Sequence, residues 1–239
     1  MLSDVVGTSM TTVSDVVAAM HAIDRALPDD DGVKWFNFLY LTVTEAVQAD
    51  EGAWRDWPFL QQFDVVFANL YFDAVRSWER DPRSTPRCWR PLLRARSDHK
   101  LARVQFALSG MNAHINHDLA IALEKMAQPD GRFPSRDSDR YADFTRVNAL
   151  LERTEASLRV LLATGLVGHL DRALGDLDSL LVMWNVRKAR EAAWTSGEVL
   201  WQLRGTPILR RDYLAKLDAM AGFAGRGLLL PRLGVAAHA

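Results

Sequence analysis

The residues best suited to chemistry lie in one run, VQFALSGMNAHINHDLAIAL, residues 104–123. It holds no Lys, Arg or Glu, and Asp118 is its only acid. A stretch this long and this apolar predicts a helix enclosed by protein on most sides. Yet Asn112, His114, Asn116, His117 and Asp118 sit near its middle. A buried polar group needs a partner, and a buried charge needs a counter-charge or a metal. At roughly 100° per residue, Asp118 lies about 40° to one side of His114 and His117 about 60° to the other. These three project into one arc, with Asn112 and Asn116 on the opposite side. Imidazole and carboxylate together suit Zn²⁺, Fe²⁺ or Mn²⁺.

Three donors from one helix do not complete a metal site, and bundle sites draw further carboxylates from facing helices. Glu45, Asp64 and Asp73 are the candidates, each a lone acid in an apolar helical stretch. Asp64 and Asp73 fall about 180° apart on their helix, so only one can reach the cluster. The expected ligand set is His114, His117 and Asp118 with Glu45 or Asp64. The nearby Trp35, Phe36, Phe67, Tyr71 and Phe72 point to a hydrophobic substrate, and the metal would activate water or dioxygen or polarise an oxygen. Tyr71, Asn112, Trp184 and Arg187 are the expected pocket residues, with Trp184 and Arg187 able to hold an anionic group. Two other readings use the same residues. A His–Asp pair can move protons without metal, serving an enzyme or a binding protein for a lipid-like or polyketide-like ligand. The cluster can equally be a closed hydrogen-bond network that specifies packing.

The elements that must position these residues are helical throughout. Val13, Val16, Val17, Met20, Ile23 and Leu27 fit one helix face. A second helix is expected over Val33 to Ala49, and a third from Trp57-Pro58 to about Trp78, since Pro suits a first turn. Pro82, Pro86 and Pro91 make the next stretch irregular. The central helix is expected from about Asp98 to Met126, followed by a loop over residues 128–139. Asp139 can cap a helix carrying Tyr141, Phe144, Val147, Leu151, Leu158 and Leu162, interrupted at Gly165 and Gly168. Another spans roughly Asp176 to Arg204, and the last runs from Thr206-Pro207 to near Gly222. The reading is all-α: a single-domain bundle of seven or eight helices, residues 1–239, around a buried central helix. About ten residues at each end are expected to be flexible.

Composition narrows the function classes. The formal net charge of −1 supplies no global field for nucleic acid or an anionic membrane. No run reaches membrane-spanning length without polar or charged residues. MLSDVVGTSMTTVSDVV lacks a basic region followed by an apolar core, so a cytoplasmic location is expected. The single cysteine, Cys88, excludes an internal disulfide and thiolate-rich metal sites. Broad apolar helix faces also admit a homodimer.

The His117-Asp118 dipeptide resembles the pair of the HD phosphohydrolases, which need an upstream His and a downstream Asp on other helices; His99 and Asp139 or Asp143 could be forced into those roles. His114-x-x-x-Asp118 resembles the helical pair of zinc-dependent phospholipase C, but six histidines in the whole chain leave few further ligands. More of the chain is covered by a third likeness. DGVKWFNFLYLTVTEAV, FDVVFANLYFDAV and FALSGMNAHINHDLAIAL, in that order, resemble a family of uncharacterised proteins found mainly in actinobacteria and in some fungi. The resemblance spans roughly residues 20 to 160, includes RVNALL at Arg146 to Leu151, and implies no catalytic residue beyond those named.

Overall fold

The polypeptide is described here by a computed structural model covering residues 2–7, 9–128, 131–163 and 185–230, without the side chains of residues 3 and 154–163. Trp184, Gly165, Gly168, the side chains of Leu158 and Leu162, and residues 176–184 of one expected helix lie outside the described residues. Within them every regular element is helical and no strand occurs.

Local chemistry explains most helix starts. After a short α1 (Leu2–Val6), Thr12 opens α2 (Val13–Ala26) with a capping box, exchanging hydrogen bonds with Asp15. Asp31 accepts from the Val33 N–H to start α3 (Gly32–Ala49), and its carboxylate also receives the Arg96 guanidinium. Asp56 caps α4 (Trp57–Arg80), with Pro58 in the first turn as its sequence position predicts. A prolyl stretch leads to the short α5 (Arg90–Ala95).

The central element differs from the single helix expected over Asp98 to Met126. It begins later, at α6 (Arg103–Ala113), because the preceding backbone is spent on turns and on the Gly32 N–H, which donates to the Arg96 carbonyl. Gln105 then folds back to accept from the Ala102 N–H. At His114–Asp118 the helix widens into a π turn, in which the Leu119 N–H donates to the His114 carbonyl five residues back. It resumes as α7 (Leu119–Ala127). Such insertions in a helix are common at functional sites. Val104 through Ile115 are all buried, as the lack of charge in this run predicts.

Around this rod pack α3, α4, α8 (Asp139–Ala163), α9 (Val186–Gln202) and α10 (Pro207–Leu228). Glycine lets two of them come close. A Cβ on Gly110 would stand 2.3 Å from the Phe36 ring, and one on Gly32 would stand 2.3 Å from the Phe106 ring, so α3 and α6 interlock reciprocally. Helix α10 does not stop near Gly222 as expected but continues to Leu228. Two of its glycines are contact points rather than terminators: a Cβ on Gly222 would lie 2.8 Å from the Arg87 carbonyl oxygen, and one on Gly225 would lie 3.4 Å from Asn112 Nδ2. Among the described residues no helix is long and apolar enough to cross a membrane.

Candidate functional site

His114, His117 and Asp118 converge as the spacing predicted, but with Asp118 as the hub rather than as a third donor facing outward. Asp118 Oδ1 accepts from His117 Nδ1 at 2.7 Å. Its Oδ2 accepts from His114 Nδ1 at 3.1 Å and from the Trp89 indole N–H at 2.9 Å. All three cluster residues are buried. Among the described residues no Arg or Lys pairs with this carboxylate; three N–H donors do. Burial works against its charge, but the hydrogen bonds from His114 and His117 outweigh it and hold Asp118 below the usual carboxylate range. With both Nδ1 atoms donating to Asp118, each imidazole turns its Nε2 away from the hub. The hydrogen-bond pattern assigns these tautomers.

The two Nε2 atoms point to different places. The His114 ring stacks on Phe67, with centroids 3.6 Å apart, and lies 4.5 Å from Tyr40. Burial is the largest influence on it and lowers its pKa despite Asp118, so the ring is neutral at pH 7. Its Nε2 is buried without a hydrogen-bond partner. His114 forms part of the wall of a small pocket, with about 60 Å³ of free space, between α3, α4, α6, α8 and α9. The wall is mostly apolar, with Tyr40, Phe63, Phe67, Met111, Ile115 and Trp194 prominent.

Asp64, Arg140, Asp143 and Arg190 line the same pocket; Asp143 is spent on the Arg55 and Asp56 N–H groups, and Arg140 pairs with Asp56. Asp64, partly buried on α4, has one carboxylate oxygen buried without a partner. Burial pushes its pKa up to about 7, with Arg190 pulling the other way. Arg190, buried on α9, is held by neutral acceptors: its Nε donates to Asn148 Oδ1 at 2.8 Å and its Nη2 to the Phe144 carbonyl at 2.7 Å. No described carboxylate oxygen lies within 4.0 Å of that guanidinium. Burial lowers its pKa to about 10, so it remains a cation at pH 7. The Trp194 indole N–H is also buried and unpartnered.

His117 Nε2 faces the opposite side. Asp218 Oδ1 on α10 lies 4.0 Å away and also accepts from the Cys88 N–H at 2.9 Å. Cys88 Sγ, His117 Nε2 and an Asp218 carboxylate oxygen all lie within 4.8 Å of one another. Burial lowers the His117 pKa, but Asp118 and Asp218 together raise it above its ordinary value. Burial, reinforced by Asp118 and Asp218, pushes the Cys88 thiol up, so it stays protonated as long as no cation is present.

The remaining expected site residues are placed elsewhere. Glu45 is half-exposed on α3 and pairs with His21 at 2.9 Å, away from the cluster. Asp73 pairs with Arg76 on the surface. Asn112, on the far face of α6, donates to the Ala221 carbonyl at 2.7 Å and accepts from Asn116, tying α6 to α10. Tyr71 is wholly buried among Phe36, Phe72 and Trp89 instead of lining the pocket. Arg187 is exposed and paired with Glu152 at 2.6 Å, and Arg190, one turn on, is the buried cation in the pocket wall. His99 is exposed, and Asp143 accepts from the Arg55 and Asp56 backbone, so no HD-type set assembles. Spacing did not single out Tyr40, Arg190, Trp194, Cys88 or Asp218, because each reaches the site across a long-range helix contact.

No curated protein sequence and no solved structure gives a match to this chain. The sequence model of one family, described only as a family of unknown function (DUF5995), matches residues 13–231, so the chain belongs to that family.

Proposed function

We propose that this protein binds a small, largely apolar molecule in the His114 pocket, and that His114, oriented by Asp118, accepts a proton or hydrogen bond from it. The observation that carries this reading is the buried, partnerless His114 Nε2 on the wall of an apolar cavity. An unpaired polar atom in such a place costs free energy unless a ligand satisfies it. The fixed Nδ1–H···Asp118 bond leaves a lone pair on Nε2, and a neutral imidazole backed by a carboxylate is a competent general base. A carboxylate there also stabilises the imidazolium that forms when His114 takes a proton.

Arg190 supplies the second recognition element. Its charge is not neutralised by a contacting carboxylate, so it favours a ligand with an anionic or strongly polar group at that end. The aromatic walls accommodate the rest. This reading needs no metal at His114. Among the described residues the one group of donors close enough to share an ion lies at His117, on the other side of Asp118, which supports proton chemistry over metal ligation at the His114 ring.

Isothermal titration of the full chain with a panel of medium-chain carboxylic acids and alkyl phenols tests the proposal. We expect saturable binding that weakens about tenfold or more, equivalent to about 1.4 kcal/mol, in both His114→Gln and Arg190→Met. Thermal unfolding of each variant checks that it is folded. Absence of binding by every probe, together with no small molecule extracted from the purified protein, overturns it.

A further inference from the structure

A second group of polar side chains lies on the other face of the Asp118 hub, outside the pocket. We propose that Cys88, His117 and Asp218 form a binding site for a divalent metal of borderline softness, with Zn²⁺ the best fit. The three residues come from three elements: the turn before α5, the π turn of the central rod, and α10. Together they offer one sulfur, one imidazole nitrogen and one carboxylate oxygen, a donor set that favours Zn²⁺ or Co²⁺ over Mg²⁺ or Ca²⁺.

The geometry fits such an ion. Zn²⁺ binds sulfur at about 2.3 Å and nitrogen at about 2.0 Å, which sets neighbouring tetrahedral donors about 3.5 Å apart. The three donor atoms here lie within 4.8 Å of one another, and the His117–Asp218 separation is 4.0 Å. Binding would draw the three donors together by about 1 Å. A separate observation points to a ligand at this place. His117 Nδ1 is held by Asp118 at 2.7 Å, the carboxylate–histidine arrangement that fixes the tautomer of metal-binding imidazoles. Its Nε2 makes no hydrogen bond of its own among the described residues. The close approach of α10 allowed by Gly222 brings Asp218 to Cys88.

The site is independent of the pocket ligand and stands or falls separately from it. An ion here would sit on the imidazole that shares Asp118 with His114, so it would brace the base of the pocket without entering it.

The test is cobalt titration of the chelator-treated full chain, read by absorption spectroscopy and by metal analysis after desalting. We expect one Co²⁺ per chain, with a thiolate-to-cobalt charge-transfer band and the intense visible bands of a four-coordinate ion. Cys88→Ser should lose the charge-transfer band. Asp218→Asn keeps an oxygen to accept from the Cys88 N–H, so the fold is retained, and affinity should fall at least tenfold. Circular dichroism verifies folding, and Asp218→Asn carries the test where Cys88→Ser does not fold. Failure to retain Co²⁺ or Zn²⁺, or binding that neither substitution alters, overturns the proposal and leaves Asp218 as a cap for the Cys88 N–H.

Discussion

Replacing Asp118 with Asn probes the hub shared by both histidines, and the outcome can be worked from the donors around it. Asp118 Oδ2 receives the Trp89 indole N–H and His114 Nδ1, while Oδ1 receives His117 Nδ1. An indole N–H can only donate. The amide oxygen of the variant must therefore take the Oδ2 position, and the amide NH2 falls opposite His117 Nδ1. Two donors cannot face each other, so the His117 proton must move to Nε2. The cost has two parts. Two hydrogen bonds change from charge-assisted to neutral and the third reverses, at about 1 kcal/mol each, from the difference between roughly 1.5–3 kcal/mol for bonds to charged groups and 0.5–1.5 for neutral ones. The sum, about 3 kcal/mol, is offset in part by relief of burying a charge. A net loss of about 2 kcal/mol is expected, within the roughly 5–15 kcal/mol of a typical domain, so the variant should fold. Urea unfolding at pH 7 measures the loss, and nitrogen NMR of the imidazoles reads the tautomers. A change under about 0.5 kcal/mol with His117 still protonated on Nδ1 would refute the hub as described.

Other consequences are equally direct. Asp64 ionises near 3.8 when unfolded and near 7 when folded, so the native state holds a proton that the unfolded state lacks between those values. Its contribution to stability is full below about pH 4 and is lost as pH rises through 7. Urea midpoints should therefore fall between pH 5 and pH 8 more steeply in wild type than in Asp64→Asn; equal slopes would sink this account. Gly110→Ala puts a Cβ 2.3 Å from Phe36 Cγ and 2.4 Å from Cδ2. Overpacking at about 1–3 kcal/mol should exceed the ~1 kcal/mol that alanine gains in helix propensity. Calorimetry should then show a lower thermal midpoint, and a variant as stable as wild type would show that Phe36 yields freely.

Part of the site was legible beforehand because its members are close in sequence. Residues four apart or fewer on one helix share a face whatever the fold, so His114, His117 and Asp118 could be grouped from spacing alone. Asp64 emerged from the same logic, as a lone acid in an apolar stretch that ends up facing the His114 pocket. The logic failed for Glu45, whose neighbours are equally apolar: a long flexible side chain at the edge of α3 reaches solvent and His21. It chose Arg187 over Arg190 because helical periodicity cannot say which of the two turns inward: both reach α8, Arg187 at exposed Glu152 and Arg190 at the buried Asn148. Gly222 read as a helix end, since glycine's two common uses, stopping a helix and admitting a close neighbour, look alike in one dimension.

By itself the sequence determined helix class, most helix starts and the burial of the central run, because capping, periodicity and desolvation are local or additive along the chain. Only the tertiary structure decided how the polar cluster is used. It made Asp118 a hub by bringing Trp89 against it, aimed His114 into a pocket completed by Asp64, Arg190 and Trp194, and set His117 beside Cys88 and Asp218. The side chains that determine these roles lie far from residues 114–118 in sequence. Their meeting depends on helix packing around Gly32, Gly110 and Gly222, where a difference of one methyl group sets how close two helices can come.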